Sequence, residues 1–196
     1  GFTRINIKLT TDTETEINSQ SSKVSAENIK EFFNTLEGLN SGDTVFLSGN
    51  IIPGMESDDF VKIAEKVRQK GAKLVVDSNK DMVLNTLKCK PFIVKPNEFE
   101  LGEMFGVELS TIEDIKKYAG KLQEMGAQNV LVSRGSKGAI LFTSTGEVLG
   151  ANIAKGKVVS TIAAGDSMLA MFVAKYDESK DYKLSLQYAS AAGGAT

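Results

Sequence analysis

The chain has 196 residues, with 23 Lys or Arg against 25 Asp or Glu, no histidine and one cysteine. At about 100–200 residues per domain it makes one domain, or one plus a small appendage, and a net charge of −2 with no basic run argues against nucleic acid as a partner. The lack of histidine excludes Ser-His-Asp and Cys-His nucleophiles and imidazole-dependent zinc sites, which leaves any chemistry to carboxylates, lysines, hydroxyls and backbone dipoles.

In chain order, residues 3–9 and 14–18 alternate Thr and Ile with other residues around a polar turn, which predicts two strands forming an appendage. Ser25 then offers an N-cap to a helix carrying Ile29, Phe32, Phe33 and Leu36. From there the rhythm is strand 44–47, helix 59–70, strand 73–76, helix 82–88, strand 92–94, a helix from Asn97, helix 112–125, and strands 129–133, 139–143 and 147–149. Helices over 164–175 and 184–192 close the chain. Strands alternating with helices predict an α/β fold with a largely parallel sheet, whose ligands sit beyond the strand C-termini.

The longest apolar run, residues 168–174, is seven residues, against about 20 for a membrane span. The lone Cys89 has no internal disulfide partner, which fits a reducing, cytoplasmic setting. Cys89 and the Met-rich face of the 164–175 helix read as packing. The opening GFTRINIKL lacks the order of a signal peptide, and the chain is expected to begin within a longer protein.

Four segments carry residues suited to chemistry, each with a plain structural alternative. In STIAAGDSMLAMF, small residues lead to Gly165 and Asp166 at a helix start, a setting for a phosphoryl anion and for a carboxylate base. Asp166 could equally be an early-turn acid favoured by the helix dipole. In LVSRGSKGAI, Gly135 and Gly138 could let backbone approach a ligand or simply turn a hairpin. Neither a Walker A loop nor a complete dinucleotide fingerprint occurs. In KPNEFE, Asn97 and Glu100 share a face that could organise hydrated Mg²⁺ or form a capping box. In TRINIK, Arg4, Asn6 and Lys8 alternate with isoleucines, making either a phosphate grip or a solvated polar face.

Taken in order, these segments with LSGNIIPG and DSNKDMVLNTL resemble the blocks of the phosphofructokinase-B branch of the ribokinase-like sugar kinases. The resemblance implies a three-layer α/β/α fold with a mostly parallel central sheet over residues 21–196, and part of a small β lid over 1–20. It implies ATP as donor, Mg²⁺, and fructose 1-phosphate phosphorylated at its 6-hydroxyl. Tagatose 6-phosphate is the rival acceptor, and a non-catalytic nucleotide-binding domain is the rival of another class. By the same resemblance, Asp166 is the base, and Ala163, Ala164 and Gly165 form the anion hole. Ser133, Arg134, Gly135, Ser136, Lys137 and Gly138 line the ATP site. Asn97 and Glu100 organise Mg²⁺ indirectly, and Arg4, Asn6 and Lys8 hold the substrate phosphate. A homodimer through the lid is implied, with neither nucleic acid nor membrane as partner. Ala163 stands where the signature has Gly, Met171 where a Gly is common, and Asn50 where a Ser is usual. A Gly-Gly-Lys-Gly sugar-binding segment in an N-terminal half, and a last helix after AAGGAT, are expected beyond this chain.

Overall fold

The computed structural model describes residues 5–10, 14–19, 21–153, 156 and 161–196. Strands β1 (Asn6–Thr10) and β2 (Glu14–Asn18) pair antiparallel as a separate two-stranded sheet. Ile7 stands opposite Ile17, so strand alternation puts Ile5, Ile7, Leu9 and Ile17 on one face, and all four are exposed. Helix α1 (Ala26–Thr35) begins where the hydroxyl of Ser25 accepts the Asn28 N–H at 3.2 Å, and none of its residues is buried.

The central sheet has the order β3 (Thr44–Gly49), β4 (Lys73–Ser78), β5 (Ile93–Val94), β6 (Asn129–Ser133), β7 (Ala139–Phe142) and β8 (Val148–Ala151). The first four strands are parallel, and β7 and β8 return antiparallel. The connections supply α2 (Ser57–Gln69), α3 (Lys80–Thr86), α4 (Glu98–Phe105) and α5 (Ile112–Glu124), and α6 (Ala164–Ser179) and α7 (Tyr182–Ala195) follow the sheet. Alternation along the strands divides the core in two. Leu74, Val76, Val94, Val130, Val132, Ile140 and Phe142 face α2 to α5. Val75, Ile93, Leu131, Ala139 and Leu141 face α6 and α7. The strands therefore read as unbroken apolar runs because both faces are covered.

The predicted elements are all present, with shifted ends. Helix α2 starts at Ser57 rather than residue 59, because Glu56 serves as its N-cap and the Asp59 carboxylate accepts the Glu56 N–H at 2.9 Å. Helix α6 continues to Ser179 rather than stopping at residue 175. Its methionines divide: Met168 is buried as expected, but Met171 is 37% exposed and does not belong to the core. No helix among the described residues is long and apolar enough to cross a membrane.

Candidate active site

The parallel strands deliver their C-terminal ends to one rim of the sheet, where open α/β sheets hold ligands. At the tip of β4 stands Asp77, and just past β5 stands Lys95, whose N–H extends the ladder to the Val76 carbonyl at 3.2 Å. The Lys95 side chain is only 9% exposed, and its ammonium lies 3.1 Å from the Asp77 carboxylate. Burial pushes the Asp77 carboxyl above the usual carboxylate range; Lys95 opposes that, while the charges of Asp166 and Glu100 add to it. Three acids and one lysine, drawn from the tips of β4 and β5 and the starts of α4 and α6, therefore share one electrostatic neighbourhood.

Helix α6 enters this neighbourhood through Gly165. A Cβ built there would sit 3.1 Å from the Lys95 Nζ, so glycine lets the helix start approach the buried ammonium. Ala163, the N-cap, holds the left-handed conformation at φ 61, and its carbonyl accepts the Ser167 N–H at 2.9 Å. No side chain caps this helix, and Asp166 is exposed and makes no hydrogen bond within the described residues. Asp166 is thus not spent on capping.

Asn97 and Glu100 do form the structural alternative. The Asn97 Oδ1 accepts the Glu100 N–H and the Glu100 Oε2 accepts the Asn97 N–H, both at 2.8 Å. The capping bond uses one oxygen of the Glu100 carboxylate, and no hydrogen bond to the other is made among the described residues. Among the described residues no cluster of three or more His, Cys, Asp or Glu could grip a bare metal ion. The donor set suits Mg²⁺ carried on phosphates with its waters retained.

Ser133 ends β6 beside Asn97, and its N–H donates to the Pro96 carbonyl at 3.0 Å. Residues 134–138 form the tight connection between antiparallel β6 and β7, with the Arg134 N–H donating to the Gly138 carbonyl at 2.8 Å. Gly138, at φ 84, admits no other residue, since a Cβ would fall 2.0 Å from the Ala151 carbonyl oxygen. The hairpin reading of this segment is therefore real as geometry. Arg134 donates to Glu98 at 2.6 Å, and Lys137 lies 3.8 Å from the same carboxylate. Gly135 and Ser136 lie in the short helical turn at the tip of this connection.

The fourth segment stays apart in the β1–β2 sheet. Asn6 is exposed, Lys8 is in register with Glu16, and Arg4 lies outside the described residues, as does Ser160. Sequence reasoning passed over Asp77 and Lys95. The available signals were an acid ending a buried strand and a lysine directly before the proline that opens KPNEFE.

This arrangement defines an α/β protein that gathers charged groups and a helix start at its strand C-termini, a class suited to phosphoryl anions. The profile of the pfkB family carbohydrate kinases matches residues 2–196, and the chain belongs to that family. It is 41% identical over 196 residues to a 1-phosphofructokinase of Bacillus subtilis, covering 100% of this chain and 64% of that protein. A D-tagatose-1-phosphate kinase of Bacillus licheniformis is 35% identical over 197 residues, again with 100% and 64% covered. The fold is that of phosphofructokinase-2 from Escherichia coli, with a TM-score of 0.87 at 24% identity over 93% of this chain and 60% of that one. The chain thus spans 64% of the length of the two curated relatives.

Proposed function

We propose that the whole protein transfers the γ-phosphoryl group of ATP to the 6-hydroxyl of fructose 1-phosphate, giving fructose 1,6-bisphosphate and ADP. The observation that carries this reading is the Asp166 carboxylate at the start of α6, without a hydrogen-bond partner among the described residues and next to the glycine that meets buried Lys95. Asp166 takes the proton of the attacking hydroxyl. The backbone of Ala163, Ala164 and Gly165 faces the negative charge that develops on the transferred group. Lys95, anchored by Asp77, adds a fixed positive charge in a setting of low water content. When bound, Mg²⁺ neutralises phosphate charge, and Asn97 and Glu100 would hold it through its water shell. The loop of Ser133, Arg134, Gly135, Ser136, Lys137 and Gly138 lines the nucleotide side, and Arg4, Asn6 and Lys8 grip the sugar phosphate. The apolar face of Ile5, Ile7, Leu9 and Ile17 supports a homodimer formed through the lid.

A second reading takes tagatose 1-phosphate as acceptor, favoured by the 35% identity to a kinase of that name. Both relatives' names specify a sugar 1-phosphate, which speaks for that class over tagatose 6-phosphate. ADP release by the whole protein, measured side by side on fructose 1-phosphate and tagatose 1-phosphate, separates the two. Asp166→Asn should lower kcat by at least about 100-fold with nucleotide binding unchanged within a few-fold. A variant keeping more than about a tenth of the turnover would refute the assignment.

A further inference from the structure

Beyond these groups, the rim of the sheet holds a chain of donors and acceptors at the tips of β3 and β4. Asn79 is the N-cap of α3, and its Oδ1 accepts the Met82 N–H at 3.2 Å. Its Nδ2 is thereby turned outward and donates to the Oδ1 of Asn50 at 2.9 Å. The backbone N–H of a helix is a fixed donor, so each amide orientation follows from the one before it. The Asn50 Oδ1 is engaged by Asn79, and no hydrogen bond from the Asn50 Nδ2 is made among the described residues. Asn50 is exposed, and it lines the mouth of an apolar hollow of about 310 Å³ against β3, with Ser48, Phe46 and Ile52.

We propose that Asn79 is a positioning residue: by engaging the Asn50 Oδ1 it orients the Asn50 carboxamide so that its two N–H donors are offered to the acceptor sugar phosphate. The inference rests on the phosphosugar kinase reading above and adds how the rim over β3 and β4 selects its ligand. A locked pair of donors favours ligand oxygens that accept, a phosphate or a hydroxyl lone pair. It turns away a ligand that must donate at that point.

The test uses the whole protein and two substitutions of Asn79. Asn79→Asp keeps the cap but can only accept, so Asn50 must rotate and present its Oδ1 to the ligand. Asn79→Ser keeps a capping hydroxyl but is too short to reach Asn50. We expect Asn79→Asp to raise the KM for fructose 1-phosphate about ten-fold, the effect of one lost hydrogen bond plus a misplaced acceptor. The KM for ATP should stay within two-fold of wild type. Asn79→Ser should raise the sugar KM less, since Asn50 is freed rather than reversed. In an Asn50→Ala background neither substitution should change the sugar KM further, an outcome that a purely structural cap would not produce. A sugar KM within two-fold of wild type for Asn79→Asp, or a rise that persists in the Asn50→Ala background, overturns the inference while leaving the kinase reading intact. A wild-type protein that phosphorylates no sugar phosphate overturns both.

Discussion

Replacing Lys95 by Met should destabilise the whole protein by about 3–5 kcal/mol at pH 8, the effect of removing one partner from a buried ion pair. The Lys95 side chain is 9% exposed and that of Asp77 17%, so water can replace the lost ammonium at the orphaned carboxylate only in part. The loss should depend on pH in a definite direction. Asp77 is already held above the usual carboxylate range by burial, and Lys95 is the main influence pulling it back down. Without Lys95 the carboxyl climbs further. A carboxyl whose folded pKa exceeds its unfolded value favours the fold in its protonated form. That contribution is complete below the unfolded pKa and is lost as pH rises through the folded one. The deficit of Lys95→Met should therefore narrow from pH 8 to pH 5. The double variant Lys95→Met/Asp77→Asn carries neither charge and should recover most of the loss, or exceed wild type by about 1–4 kcal/mol, while remaining inactive as a kinase. Urea unfolding followed by far-ultraviolet circular dichroism at pH 5, 6.5 and 8 measures this in a family member whose chain here has no tryptophan. A Lys95→Met deficit below about 1 kcal/mol at pH 8, or one independent of pH, refutes the reading of a buried, charge-strained pair.

Two further outcomes separate structure from chemistry at neighbouring positions. Glu100→Gln keeps an acceptor for the Asn97 N–H, so stability should change by less than about 1 kcal/mol, while the Mg²⁺ concentration for half-maximal activity rises several-fold; unchanged Mg²⁺ dependence would reduce Glu100 to a cap. Ala163→Gly relieves a left-handed alanine that costs about 1–2 kcal/mol but loosens the unfolded chain by about 0.4–1 kcal/mol. The net effect should be a rise in Tm of up to about 4 °C, and a fall in Tm would show that the φ of 61 is not strained.

The layers were legible because the periodicities are clean. Strands β4 to β7 are apolar on both faces, and Ser25 and Asn97, read as caps from the sequence, each cap a helix with a side-chain oxygen, as do Asn79 and Thr111, which the sequence reading did not single out. Glu56 hid a helix start because glutamate is not a usual N-cap residue. At the site, Asp166 stood out because glycine precedes it at a helix start. Asp77 and Lys95 did not, because a charged residue at a strand end ordinarily reads as solvated. Gly165, far along the chain, packs against the Lys95 ammonium that pairs with Asp77, and only the folded arrangement brings the three together.

The structural and functional readings of the remaining groups are not rivals in every case. A capping box that holds Asn97 and Glu100 by two 2.8 Å bonds also fixes where the other oxygen of Glu100 stands, and fixed placement is what the proposed outer-sphere metal role would require. The same holds for Lys95, whose pairing with Asp77 restrains an otherwise flexible ammonium. Asp166 differs in kind. Helix α6 starts on the left-handed backbone of Ala163, without a side-chain cap, and leaves the Asp166 carboxylate with no hydrogen-bond partner among the described residues. In the reading proposed above, the residues that would hold position are tied down, and the carboxylate that would take the proton has no hydrogen-bond partner among the described residues.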